Sequence, residues 1–388
     1  MFPYSPLDRC HNIDSLRTRA KRRLPAPVFH YMDGGADDEV TLRRNTEAFD
    51  DYELLPNLLT DITGLDTKTQ ALGVELDWPV FLAPTGMSKL FHHTGEIAVA
   101  RAARNAGTLY SLSTLATTSI ENVAAATDGP KMFQIYVFKD RGLTKEFIAR
   151  CKAAKYDALC LTIDVPVPGN RERDKVTGMT MPPKFSLSSL LSFALHPEWS
   201  LNALRDPSFD LANVSQRSDL SIAGDQVSPI QYLTSQIDSS VTWKDAAWMA
   251  QEWGGRFLIK GVHSAHDALK AADIGAHGVM VSNHGGRQLD GVSACIDALP
   301  PIVDAVGDKL EIILDGGIRR GTHVIKALAL GATACSIGRG YLYGLGAGGQ
   351  AGVEKALSLL RSEVERGMAL LGVTKISEIT ADVLQRRR

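Results

Sequence analysis

The segment Ser282-Asn-His-Gly-Gly-Arg-Gln-Leu-Asp-Gly291 sets a histidine and an arginine on either side of two glycines. Histidine exchanges a proton near neutral pH more readily than any other unperturbed side chain, so His284 is a candidate base. Arg287 can grip a planar anion through two parallel hydrogen bonds, and Gly285 and Gly286 let the backbone pass close to a ligand. Most single histidines are structural; this one gains weight from Gly-Gly-Arg behind it and from a carboxylate, Asp164, in a comparable position elsewhere in the chain. Two more segments, Asp315-Gly-Gly-Ile-Arg-Arg-Gly321 and Ile337-Gly-Arg-Gly340, join flexible backbone to arginines, a combination suited to a dianion. Lys260 offers a fixed positive charge, its structural alternative being a salt bridge to a nearby carboxylate.

These residues share a place in a repeating pattern. Eight β-rich runs recur: Pro79 to Leu82, Thr108 to Ser113, Lys131 to Val137, Ala158 to Asp164, Arg256 to Val262, Gly278 to His284, Glu311 to Gly317 and Ala334 to Gly340. Helix-like stretches such as Gly95 to Ala106 and Ala265 to Ile274 fill the gaps, and eight βα units predict an α/β fold of the TIM (β/α)8 barrel type. In such a barrel the site gathers at the carboxyl ends of the strands. There the sequence places Thr85, Ser113, Gln134 and Tyr136, Thr162 and Asp164, Lys260, His284 and Arg287, Asp315 and Arg319, and Arg339. Segments seven and eight fall at the usual phosphate-binding corner of the fold, so a phosphate-bearing cofactor is expected.

The chain has 388 residues, 42 Lys+Arg against 44 Asp+Glu and a formal net charge of −2, which gives nucleic acid no general electrostatic hold. No apolar run is long enough to span a bilayer, and the opening residues lack the apolar stretch of a secretory signal, so a cytoplasmic protein is expected. Cys10, Cys151, Cys160, Cys295 and Cys335 are scattered and read as incidental thiols in a reducing compartment. No metal site is expected: His263 with His266 and the pair His92-His93 lack further ligands. Gly344-Leu-Gly-Ala-Gly-Gly349 fits G-x-G-x-x-G but follows the eighth strand, not the first βα turn of a dinucleotide fold, and is expected to ease the start of the last helix. The basic run from Arg17 to Arg23 reads as a solvated helix face. One gap is long: an insertion of about residues 166–255 follows the fourth strand. Its stretch Phe185-Ser-Leu-Ser-Ser-Leu-Leu-Ser-Phe-Ala-Leu-His-Pro-Glu-Trp-Ser-Leu201 is apolar enough to lie in a membrane interface, or to form a lid or subunit contact.

With these motifs assembled, the chain resembles the FMN-dependent 2-hydroxy-acid oxidising enzymes, especially the bacterial membrane-associated L-lactate and mandelate dehydrogenases. The likeness runs through Phe29-His-Tyr-Met-Asp-Gly-Gly-Ala36, Thr41-Leu-Arg-Arg-Asn45, Ala83-Pro-Thr-Gly86, Phe133-Gln-Ile-Tyr136, Thr162-Ile-Asp-Val-Pro166, Arg171 and the three glycine-rich segments. It implies one domain, with residues 1–77 as a helical cap over the entrance of a barrel formed by 78–388. It further implies oxidation of an L-2-hydroxy acid, lactate or mandelate among the possibilities, to the 2-keto acid. His284 would take the hydroxyl proton and Asp164 would orient it; Tyr136 would bond the substrate hydroxyl, and Tyr31, Arg171 and Arg287 would hold the carboxylate. Leu115 and Gly86 would leave room above the flavin ring.

FMN would be held by Pro84, Thr85, Gly86, Ser113, Gln134, Thr162, Lys260 and Ser282, with Asp315, Gly317 and Arg319 toward ribityl and phosphate and Gly338 and Arg339 closing the phosphate site. Hydride transfer is favoured over prior removal of the α-proton. A homotetramer, peripheral on the inner face of the cell membrane and reducing a quinone, is the resulting expectation. The alternatives are a cytosolic oxidase making H2O2 from O2 and a flavin-binding protein without turnover.

Overall fold

The computed structural model describes residues 5–180, 182–205, 211–214 and 235–387. Three helices come first: α1 (Ile13–Arg23), α2 (Ala26–Asp33) and α3 (Val40–Glu47). Strand β1 (Tyr52–Leu54) and the hairpin β2 (Thr69–Ala71) and β3 (Val74–Leu76) follow. Eight strands then close a barrel: β4 (Val80–Thr85), β5 (Tyr110–Ser113), β6 (Lys131–Ile135), β7 (Ala158–Thr162), β8 (Arg256–Val262), β9 (Gly278–Ser282), β10 (Glu311–Asp315) and β11 (Ala334–Ile337). Every neighbouring pair is parallel. Outside run α4 (Gly95–Asn105), α5 (Ile120–Ala126), α6 (Arg141–Ala153), α7 (Glu172–Thr177), α8 (Leu187–Ala194), α9 (Pro197–Arg205), α10 (Trp243–Trp253), α11 (Ala265–Asp273), α12 (Cys295–Val306), α13 (Gly321–Ala329) and α14 (Arg339–Leu371). Strand β12 (Leu384–Arg386) pairs antiparallel with β1.

The inner face of the barrel changes chemistry along its axis. Met132, Cys160, Leu258, Met280, Ile313 and Ala334 pack together inside. Two positions further along the same strands stand Gln134, Thr162, Lys260, Ser282, Asp315 and Ser336, all buried. Side chains two apart share a face, so an apolar floor carries a polar layer at the carboxyl end. The β2–β3 hairpin seals the floor: Ala71, Leu72 and Leu76 join that apolar cluster, and the Leu72 N–H donates to Glu311. Residues 69–76 therefore lie at the opposite end from the entrance, and residues 66–68 run beside Ala332 and Thr333 just ahead of β11, so this part of the expected cap does not cover the entrance.

The cap helices are tied to the loop after β9. Asp290 accepts from the backbone N–H groups of Val40 and Thr41 at the start of α3, at 3.1 and 2.7 Å. Asn45 and Asn283 exchange two amide hydrogen bonds of 2.8 Å. Helix α1 rests on α14, where a Cβ on Gly346 would stand 2.9 Å from Leu24. The Gly344–Gly349 stretch thus gives close helix contact, and at Gly348 and Gly349 it kinks α14; it does more than ease a helix start.

The long insertion is shorter than the expected 166–255, because α10 is the barrel's own helix between β7 and β8, packed on α6. Helices α8 and α9 pack against the cap and against the turn after β4. The Ala26 N–H donates to Ser192 Oγ at 2.8 Å and Trp199 Nε1 to the Leu90 carbonyl at 2.7 Å. Leu187, Leu190, Leu191, Leu195, Leu201 and Leu204 face outward, with Leu187 87% exposed. The basic run is only partly solvated: Arg17 pairs with Asp33 and Arg23 with Glu198 in α9, while Lys21 and Arg22 are exposed. All five cysteines are buried and unpaired. No helix among the described residues is long and apolar enough to cross a membrane.

Candidate active site

His284 leaves β9 in a left-handed conformation (φ 58°), followed by Gly285 and Gly286 at φ 65° and 71°. Such a turn is costly for a residue with a side chain, and it persists because the surrounding contacts fix it. A Cβ on Gly286 would stand 2.6 Å from the Leu42 N of α3, so only glycine lets the cap approach here. The turn brings His284 Nδ1 to 3.0 Å from Asp164 Oδ1, beyond the end of β7. Asp164 can sit there because Gly261 (φ 99°) bulges β8 away: a Cβ at Gly261 would meet the Asp164 Cβ at 2.6 Å.

Burial pushes the His284 imidazole below its ordinary range, outweighing the opposing pull of Asp164. Burial works to raise the Asp164 carboxyl, but His284 and Lys260 prevail and hold it below the usual carboxylate range. Near neutral pH the pair is therefore a neutral imidazole beside a carboxylate. A carboxylate only accepts, so Nδ1 carries the proton and Nε2 keeps a lone pair.

Lys260 Nζ lies 2.8 Å from Ser282 Oγ and 3.0 Å from Asp315 Oδ2, and Ser282 Oγ donates to Asp315 at 2.8 Å. Burial opposes the ammonium, and Asp315 and Asp164 more than restore it. The salt bridge weighed from sequence is thus present. On the facing strands Ser113 Oγ donates to Gln134 Oε1 at 3.0 Å. Gln134 Nε2 and Thr162 Oγ1 are buried with no partner among the described residues, as are Asp164 Oδ2 and Arg171 Nε. Buried polar atoms without partners are rare, and Gln134 and Thr162 belong to the polar layer itself. Tyr136 follows β6, and burial followed by Asp164 raises its phenol to about 12.

At the entrance the Arg287 guanidinium stands 5.1 Å from the centre of the Tyr31 ring and donates to the Tyr31 and Gly34 carbonyls. Burial, then Arg171, press it down to about 9. Two arginines, Arg287 and Arg171, share one buried carboxylate there, Asp174, which lies 4.0 Å from Arg171, so positive charge is in excess and favours an anion. Leu115 lies against Gly86, where an added Cβ would be 3.0 Å from the Leu115 Cβ. Pro84 and Thr85 end β4, and Thr85 shares a hydrogen bond with Tyr341.

At the corner of β10 and β11, Gly317 (φ 75°) turns the backbone against Asn45, and Gly338 precedes the first turn of α14. Arg319 lies over the Tyr343 ring. Arg339, expected to close the phosphate site, is also engaged within the protein. Its guanidinium donates to the carbonyls of Met32, Gly285 and Gly34 at 3.1, 2.8 and 2.7 Å and so ties the cap to the His284 loop.

Three supporting residues escape a reading of the sequence alone. Asp33 is buried between Arg17, Arg173 and Tyr343. Its signal was a carboxylate at the end of a helix, where the dipole disfavours it unless cations are near. Asn45 has no such signal. Glu96, fully buried in α4, accepts from the N–H groups of Ser88 and Thr117 and so braces the loops after β4 and β5.

A family model described as FMN-dependent dehydrogenase matches residues 20–386. The L-lactate dehydrogenase of Xanthomonas campestris pv. campestris (strain B100) is 43% identical over 371 residues, 95% of each chain. That of Ectopseudomonas mendocina (strain ymp) is 41% identical over 374 residues, 96% of this chain and 98% of its own. Among solved structures, a monotopic membrane protein, (S)-mandelate dehydrogenase, superposes with a TM-score of 0.92 at 36% identity, covering 97% of this chain and all of the other. The chain belongs to the FMN-dependent dehydrogenases.

Proposed function

We propose that the protein oxidises an L-2-hydroxy acid of lactate or mandelate type to the 2-keto acid, and that it works at a membrane surface with a quinone as electron acceptor. The observation that carries the chemistry is the His284–Asp164 pair at 3.0 Å, together with Arg287 and Arg171, whose two charges are met by the single carboxylate of Asp174. The substrate carboxylate would bind Arg287, with Arg171 and Tyr31 beside it. Nε2 of neutral His284 would then take the hydroxyl proton, and Asp164 would stabilise the resulting imidazolium. Tyr136, whose phenol stays protonated, would donate to the substrate oxygen and steer it.

The residues fit FMN. Gln134 Nε2 and Thr162 Oγ1 are unpartnered polar atoms of the kind a flavin ring edge would satisfy, and Lys260 supplies a fixed charge beside them. Arg319, Gly317 and the first N–H groups of α14 would hold the phosphate, as helix N-termini do. FMN, when bound, supplies the two-electron acceptor. Exposed leucines on α8 and α9 and the monotopic relative support peripheral membrane attachment.

The test is anaerobic mixing of the yellow holoenzyme with L-lactate or (S)-mandelate. Bleaching is expected with at least one of them, and His284→Gln should keep the flavin and slow bleaching by about 10²–10⁴-fold. Rapid bleaching by that variant would assign the base elsewhere.

A further inference from the structure

We propose that a cavity between α1, the Ser88–Leu90 turn and α9 receives the ring of the lipid-borne quinone; the idea rests on the acceptor reading above and gives it a place. The cavity holds about 150 Å³, a size that accepts one six-membered ring but no long chain. Leu24, Phe91 and Trp199 give it apolar and aromatic walls, while Arg23, His92 and Asn202 bring N–H donors. A quinone needs both: a flat face to stack and donors for two carbonyl oxygens.

Two placements single it out. Phe91 is buried and stacks on Tyr31, with ring centres 6.4 Å apart and planes 20° from parallel. Tyr31 in turn faces Arg287 at 5.1 Å. One aromatic pair thus separates the cavity from the candidate active site. On the other side, α9 lines the cavity with Trp199, Asn202 and Ala203 and turns Leu201 and Leu204 outward. Ala203 both lines the cavity and is exposed, so it marks the mouth. A ring seated inside would leave its isoprenoid tail on the apolar α8–α9 face. The exchange balances: the hydroxy acid releases two electrons and two protons, and the quinone takes up both pairs to become a quinol.

The holoenzyme is titrated with a short-chain ubiquinone analogue, following tryptophan fluorescence, and quinone turnover is measured beside ferricyanide turnover and anaerobic bleaching by substrate. Ala203→Phe, which fills the mouth, should raise both the Kd and the KM for the analogue at least tenfold while leaving bleaching and ferricyanide turnover unchanged. Asn202→Leu, a milder change, should move them in the same direction, and Trp199→Phe should abolish most of the quenching. If the parent protein reduces the analogue and all three variants bind it unchanged, the cavity is not the site although the acceptor reading stands. Failure of the parent protein to reduce the analogue while it still reduces ferricyanide would overturn both.

Discussion

The charge state of His284 is decided by burial, which outweighs an adjacent carboxylate and lowers its pKa below the ordinary 6.5. A base must be neutral to act, so kcat/KM should be flat through neutral pH. It should fall tenfold per unit only below the depressed pKa, as protonation removes the Nε2 lone pair. A fall that begins above pH 7 would show that another group governs the reaction. Arg339 illustrates a different kind of dependence. Its three bonds to carbonyls of the cap and of the His284 loop mean that Arg339→Ala strands buried acceptors, at a cost of about 3 kcal/mol. Thermal stability should drop and the KM for the hydroxy acid rise, while FMN stays bound through Arg319 and the α14 N-terminus. Flavin loss on gel filtration, with an unchanged KM for reloaded enzyme, would return Arg339 to the phosphate site.

At the scale of elements, the barrel was legible because its strands are buried on both faces and read as continuous apolar runs. The run Arg256 to Val262 coincides with β8, but those starting at Lys131, Ala158, Gly278, Glu311 and Ala334 overshoot their strands. The excess residues, Tyr136, Asp164, His284, Gly317 and Gly340 among them, belong to loops or a helix start: the ladder ends where the chain turns to build the site. The partners of the cap were not legible, since nothing local links Asn45 to Asn283 or Asp33 to Arg173. Asp33 joins α1, α7 and α14 through Arg17, Arg173 and Tyr343. Burial would raise its carboxyl, yet Arg17 and Tyr343 overcome this and hold it at about 2. A depressed carboxyl contributes stability above its unfolded pKa, near 3.8, and loses it as pH falls through about 2. Asp33→Asn should therefore cost about 2 kcal/mol at pH 7, discounted for the partly exposed arginines, and remove part of the wild-type loss of stability between pH 4 and 2. Denaturant midpoints across that range check it; parallel curves for the two proteins would refute the ion-pair role.

For the whole molecule, the outward leucines of α8 and α9 and the exposed Lys21 and Arg22 at the end of α1 lie on one side, joined by the Arg23–Glu198 pair and the Ala26–Ser192 bond. An apolar face bordered by basic residues matches the requirements of an anionic bilayer: leucines enter the acyl boundary and cations stay among the headgroups. The chain as a whole carries a net charge of −2, so the proposed attachment would draw on this local arrangement rather than on overall charge. The two contributions can be separated. Replacing Leu187, Leu191, Leu195 and Leu204 by serine removes about 1 kcal/mol or more per side chain of interfacial burial, and should abolish flotation with vesicles at any salt concentration. Lys21→Glu with Arg22→Glu should weaken binding to anionic vesicles by about 1 kcal/mol per removed charge, and only at low salt, leaving neutral vesicles unaffected. Both variants should retain bleaching by substrate, because neither set of side chains reaches the polar layer of the barrel. Equal flotation of the leucine variant and the parent protein would make this face a contact between protein copies instead, and that variant's oligomeric state in solution would then change.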